Sequence, residues 1–164
     1  MPGGKTDGPQ RAIVRTIDQL KRYVGQELGV GPWLAMKQDR INAFADATGD
    51  HQWIHIDPDR CRAAGRGTTI AHGYLTLSLI TLLREGMEGV VVALDSKMGI
   101  NYGSDKVRFI TPVREGSQIR LRSFLLALDA VTPDIWLAKY KHVVEIEGEE
   151  KPALVAEALN RLYF

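Results

Sequence analysis

The sequence predicts an α+β fold in which one long apolar helix is wrapped by a mostly antiparallel sheet. Three observations carry that prediction. Helical periodicity dominates the first half of the chain, and strand-like alternation dominates the second. Between them lies the longest apolar pattern, residues 70–87, with no acidic residue before Glu85. Helices followed by four or five long consecutive strands is the order of an α+β chain. At 164 residues the chain is long enough for one domain with a real core and too short for two ordinary ones.

Taken in order, residues 1–12 are rich in Gly and Pro and predict a flexible leader ahead of a single domain over residues 13–164. Ile13, Ile17, Leu20, Val24 and Leu28 recur at helical spacing and predict an amphipathic helix, ended by Gly29 and Gly31-Pro32. Trp33-Leu34-Ala35-Met36 is a short strand candidate. Residues 38–48 read as a helix with Ile41, Phe44, Ala45 and Thr48 on one face and Gly49 as its stop. The next segment reads as irregular. Asp57-Pro58 then supplies an N-cap and a first-turn proline for a short helix running to Ala64 and stopping at Gly65.

Residues 70–87 carry Leu75, Leu77, Leu79, Ile80, Leu82 and Leu83, and so predict a helix buried on most faces. Strands are expected over 90–94, 106–110 (after a Tyr102-Gly103 turn region), 118–129, 135–147 and 152–164. Alternation is clearest in 135–147. Trp136, Ala138, Tyr140, His142, Val144 and Ile146 fall on one face there, with Lys139, Lys141, Glu145 and Glu147 on the other.

Composition excludes several function classes. Lys plus Arg (21) nearly balances Asp plus Glu (20), so no global field argues for nucleic acid or an anionic membrane as partner. No run approaches the roughly 18 apolar residues that span a bilayer. The single cysteine, Cys61, cannot form an internal disulfide, and the N-terminus lacks the apolar core of a secretory signal. A cytoplasmic protein is expected.

The residues able to carry chemistry cluster in Thr48-Gly49-Asp50-His51-Gln52-Trp53-Ile54-His55-Ile56-Asp57 and in Ile70-Ala71-His72-Gly73-Tyr74. A carboxylate with an imidazole, Asp50 with His55, can hold and activate a water and return a proton. Trp53 and Ile54 can wall such a site from solvent, which strengthens its electrostatics. The competing reading makes Gly49-Asp50 a turn and His55 a surface or core-edge residue. His51 and His55, with Asp50 and Asp57, also invite a metal reading, but the stretch does not read as helical and Cys61 stands apart, so no metal is expected. His72-Gly73 sits where the apolar helix opens. Free N–H groups there can hold a developing oxyanion, and Gly73 allows close approach. The alternative is that His72 caps or packs and Gly73 permits a turn. No Gly-x-Ser-x-Gly supports a serine hydrolase. The pairs Arg120/Arg122 and Lys106/Arg108 read as solvated strand faces, either able to meet a phosphate-bearing substrate.

Residues 44–57, the following Ala63-Ala64-Gly65…Thr69-Ile70-Ala71-His72-Gly73-Tyr74, and Ile100-Asn101-Tyr102-Gly103…Lys106-Val107-Arg108-Phe109…Pro112-Val113 closely resemble the signature of the MaoC-like dehydratases. This is the (R)-specific enoyl-CoA hydratase (hydratase 2) group, and the resemblance is to its single-domain bacterial, nodulation protein N-like form. It covers roughly residue 28 to the C-terminus. It implies a hotdog fold and reversible, cofactor-free hydration of trans-2-enoyl-CoA to (R)-3-hydroxyacyl-CoA by a homodimer. By motif position the catalytic pair falls on Asp50 and His55, and the oxyanion-holding N–H on Gly73. Trp53, Ile54, His72, Tyr74 and Arg108 are the expected substrate contacts. Two departures stand out: Gln52-Trp53 replaces the Asn-Pro of many members, and a helix serine of some members falls on Thr81. The rivals are a hotdog acyl-CoA thioesterase and a non-catalytic acyl-thioester binding protein. The former usually carries an acid in the central helix, where Tyr74 to Arg84 has none.

Overall fold

The computed structural model describes residues 12–164. In chain order its strands are β1 (Ala12–Val14), β2 (Glu27–Val30), β3 (Leu34–Ala35), β4 (Glu88–Val92), β5 (Met98–Phe109), β6 (Gln118–Thr132), β7 (Ile135–Ile146) and β8 (Leu154–Tyr163). Its helices are α1 (Ile17–Lys21), α2 (Gln38–Thr48), α3 (Trp53–Ile56), α4 (Pro58–Ala63), α5 (Gly73–Ser78) and α6 (Ile80–Leu83). The sheet runs β1-β4-β2-β6-β7-β8-β5, with β3 also on β6, and every pairing is antiparallel except β1 with β4.

The alternation read in residues 135–147 is realised. Ala138, Tyr140, His142, Val144 and Ile146 are buried, while Lys141 and Glu147 are exposed. Against that inner face lies the apolar helix. Ala71, Leu75 and Leu83 pack with Ile119, Leu121, Val144, Leu154 and Ala156 in one core cluster. A second cluster, Val14, Leu20, Leu28, Val90, Leu125, Tyr140 and Leu162, closes the other end. A helix cradled by a curved antiparallel sheet is the hotdog arrangement.

Five expectations need correction. Residues 13–28 do not form one helix. A capping box at Thr16 with Gln19 starts α1, Gly25 turns the chain at φ +83, and the flanks are recruited as strands. The helical stripe does not survive: Val14, Leu20 and Leu28 are buried, but Ile13 and Val24 are exposed. The expected leader lies outside the described residues apart from Ala12, which opens β1.

The long helix is also shorter than residues 70–87. Ile70 and Ala71 are extended, bridged to Arg114 and bonded to the Val113 carbonyl. The remainder breaks at Leu79, where Ser78 Oγ donates back to the Tyr74 carbonyl at 2.7 Å, a bond that bends helices. The bonds Leu79 N–H to Leu75 O and Leu83 N–H to Leu79 O bridge the break, so α5 and α6 remain one bent rod.

Finally, Tyr102-Gly103 is no turn. It lies inside β5, at a bulge where the register with β8 shifts between Asn101 and Gly103. The stretch read as irregular contains α3, which carries His55. Thr48 is exposed and donates back to the Phe44 carbonyl at 2.7 Å.

Candidate active site

Gly49, in a left-handed conformation at φ +77, ends α2 and turns the chain so that Asp50 follows at the mouth of the site. α3 then delivers His55, which is buried. Its Nδ1–H donates to the Ile70 carbonyl at 2.7 Å. A carbonyl can only accept, so neutral His55 carries its lone pair on Nε2. His72 caps α5 in an extended conformation (φ −60, ψ 140). Its Nε2–H donates to the Asp50 backbone carbonyl at 2.9 Å and lies 3.9 Å from Asp50 Oδ2. The His55 and His72 rings stack with centroids 3.7 Å apart, and the Phe44 ring lies tilted to His72 with centroids 5.0 Å apart.

Of these groups His55 lines a cavity of about 210 Å3, together with Ala71, Gly73, Thr76, Phe109 and Val113 among others; Asp50 and His72 stand behind it. Gly73 is the first residue of α5, and its N–H meets no acceptor among the described residues. A Cβ there would sit 2.9 Å from the Phe109 ring, so only glycine lets that ring lie over the helix start.

Asp50, His55 and His72 each offer a donor atom, all within 4.8 Å of one another. As chelators they are poorly arranged. Stacked imidazoles direct their lone pairs within nearly parallel planes, whereas a zinc ion needs donors converging at about 2.0–2.2 Å.

The other expected residues scatter. Ile54 lines a neighbouring cavity. Trp53 lies under the guanidinium groups of Arg60 and Arg66, at 4.6 and 5.6 Å. Tyr74 is exposed and meets Phe109 edge-on at 5.7 Å. Arg108 borders neither cavity and donates to the Val107 carbonyl. Thr81 is exposed; the helix hydroxyl at the cavity is that of Thr76, which donates to the His72 carbonyl at 3.4 Å.

His51 and Asp57 have structural partners. His51 Nε2 and Asp46 Oδ1 are 2.9 Å apart, and that bond raises the His51 pKa. Asp57 caps α4, accepting from the Arg60 N–H at 2.9 Å. Cys61 is buried, its thiol near the Trp53 and Ile54 carbonyls.

Gln38 had no sequence signal. Its Nε2 donates to the His55 carbonyl at 2.7 Å and to Asn42 Oδ1 at 2.8 Å, and its Oε1 accepts from Thr69. It thereby ties the start of α2 to the chain on both sides of the site.

The model of the family described as "MaoC like domain" matches residues 19–143. The chain belongs to the MaoC-like dehydratase family. Among its relatives, the 3-hydroxyacyl-thioester dehydratase Z of Mycobacterium tuberculosis is 43% identical over 146 residues, covering 89% of this chain and 95% of that protein. Nodulation protein N of Rhizobium meliloti is 45% identical over 142 residues, covering 86% and 87%. The solved (R)-hydratase from A. caviae involved in PHA biosynthesis superimposes with a TM-score of 0.61 at 25% identity, over 81% of this chain and 96% of that one.

Proposed function

We propose that this MaoC-like chain catalyses the reversible hydration of trans-2-enoyl-CoA to (R)-3-hydroxyacyl-CoA. The observation that carries the reading is that His55 and the unengaged Gly73 N–H line one apolar cavity while Asp50 offers a carboxylate oxygen within 4.8 Å of a His55 ring nitrogen. The enoyl chain occupies the cavity, and its thioester oxygen accepts from Gly73. Water held between the Asp50 carboxylate and the His55 Nε2 attacks the β-carbon. One proton of that water goes to the Asp50–His55 pair as the C–O bond forms, and charge moves onto the thioester oxygen. The pair returns a proton to the α-carbon. A fixed donor at such an oxyanion contributes about 2.7–4 kcal/mol.

The relatives named as a dehydratase and an (R)-hydratase support the same chemistry. No acidic residue lies on α5 or α6, the helix position a hotdog thioesterase uses.

The protein acts as a cytoplasmic homodimer in this reading. β5 is a sheet edge of 12 residues, and Met98, Ile100, Tyr102, Phe109 and Ile110 expose apolar surface along or beside it. An open, greasy edge of this length is relieved by pairing with a second copy. Among the described residues no helix is long and apolar enough to cross a membrane.

The test is the ultraviolet absorbance of the conjugated thioester of crotonyl-CoA, which hydration removes. Release of free thiol instead would make the protein a thioesterase, and binding with unchanged absorbance would make it a carrier-binding protein.

A further inference from the structure

Beside the catalytic cavity lies a second, of about 380 Å3, lined by Ile54, Gly65, Arg66, Thr68, Ile70, Thr111, Pro112, Arg114 and Glu149. The two share Ile70, Thr111 and Pro112, and consecutive residues Ile54 and His55 line one each. The two cavities are thus adjacent across a shared wall.

Several cationic groups of the sheet are held by carboxylates. Arg120 and Arg122 are both held by Glu145, at 2.6 and 2.7 Å, and Arg122 also by Glu27. Lys106 is held by Glu157 at 2.9 Å. The strand pairs that looked able to meet a phosphate are therefore largely committed to carboxylates. Among the described residues, Arg66 and Arg114, like Arg60, Arg84 and Arg108, have no carboxylate within 4.0 Å, and they are the cations that line this second cavity; both are exposed. Arg114 Nη1 donates to the Arg66 backbone carbonyl at 2.8 Å, which links the two guanidinium-bearing segments beside the cavity. Glu149 is the acid in the lining, so the cavity keeps a net positive charge.

We propose that Arg66 and Arg114 bind phosphate groups of the carrier that delivers the thioester. Guanidinium groups without carboxylate partners, in a cavity contiguous with the reaction site, suit a ligand with an uncharged acyl end and an anionic far end. Phosphopantetheine carries that phosphate in both coenzyme A and acyl carrier protein. The assignment rests on the hydratase reading for the orientation of the ligand but not for its binding.

The experiment compares Arg66→Gln, Arg114→Gln and Arg114→Lys with wild type on crotonyl-CoA and on crotonyl-N-acetylcysteamine, which lacks phosphate. The glutamine variants raise KM for crotonyl-CoA about tenfold with little change in kcat, leave kcat/KM for the phosphate-free substrate unaltered, and Arg114→Lys recovers part of the loss. Equal effects on both substrates, or none on either, overturn the proposal.

Calorimetric binding of free CoA, 4′-phosphopantetheine and pantetheine to the wild type and the Arg66→Gln/Arg114→Gln pair gives a readout independent of turnover. Weakened CoA binding with unchanged pantetheine binding upholds the subsite even if crotonyl-CoA is never hydrated. Equal binding of CoA to both proteins overturns it. A loss seen with 4′-phosphopantetheine as well as CoA assigns the phosphate that carrier proteins share, and a loss confined to CoA assigns those of its nucleotide end.

Discussion

His55 and His72 stack face to face with ring centroids 3.7 Å apart and an interplanar angle of 24°. His72 supports the site from three directions: it braces the His55 ring, bonds the Asp50 carbonyl, and precedes Gly73. Its own Nδ1 is buried without a partner, an arrangement that costs about 1–3 kcal/mol. His72→Phe keeps the stack, removes the orphaned nitrogen and loses the bond to Asp50. The expected outcome is a kcat at least about tenfold lower, KM little changed, and a thermal midpoint equal to wild type or higher. Steady-state kinetics beside a melting curve checks it, and a midpoint that collapses would make His72 merely structural.

In the proposed reaction Asp50→Asn and His55→Gln each remove a partner of the attacking water. General acid–base groups contribute about 10²–10⁴-fold, so hydration of crotonyl-CoA falls by that order while circular dichroism matches wild type. Near-normal turnover in either folded variant would end the assignment.

At Gly73 two effects on stability oppose each other. Alanine gains about 1 kcal/mol of helix propensity, yet its Cβ meets the Phe109 ring at 2.9 Å. Phe109 is half exposed and can swing away, so stability changes little. Activity suffers more, because the methyl group occupies the approach to the N–H. Gly73→Ala is expected to lose tenfold or more in kcat/KM with a midpoint within a few degrees of wild type. Unchanged kcat/KM would contradict the role of that N–H.

His142 sets a pH dependence of stability. Burial, with the Arg84 charge nearby, pushes its pKa from the ordinary 6.5 down to about 4. Its Nδ1 pairs with Ser123 Oγ at 3.1 Å, and its ring stacks on Tyr140. Between these two values the unfolded chain binds the proton and the folded one does not. Stability is therefore fully present above about pH 6.5 and is lost as pH falls toward 4, by about 3 kcal/mol in all. Denaturant unfolding at pH 7.5 and 5 measures it. His142→Asn, which does not titrate, flattens the dependence; an equally steep loss in that variant would place the cause elsewhere.

The free edge of β5 gives the last prediction. Wild type should be a dimer by light scattering at micromolar concentration, and Ile100→Lys should shift it toward monomer with the fold retained. A monomeric wild type would rule out the pairing.

The strands and the α+β order were legible because alternation in residues 135–147 reports burial directly. β5 was half hidden: Asn101-Tyr102-Gly103 has turn chemistry, and only its pairing with β8 makes it a strand. The first helix was overread because Ile13 and Val24 keep helical spacing while remaining exposed. At the site, Asp50 and His55 were legible as neighbours in sequence. Gln38 and Thr76 carried no signal, since an amide and a hydroxyl acquire meaning only from what tertiary folding sets beside them, and Phe109 stood in the strand motif with nothing to place its ring over Gly73. The Gln38–Thr69 bond, for one, joins residues 31 apart in the chain.

That glutamine divides the molecule into parts that can change at different rates. Asp50, His55 and the segment entering α5 are fastened by polar bonds through Gln38, Ile70 and His72. The far wall of the same cavity, Phe109, Ile110, Val113 and Ala153, is held by side-chain contact alone or by strand bonds that tolerate any residue. On the proposed reading, descendants of this chain can thus lengthen or shorten the acyl groups they accept by resizing those four positions, leaving Asp50, His55 and their bonds untouched.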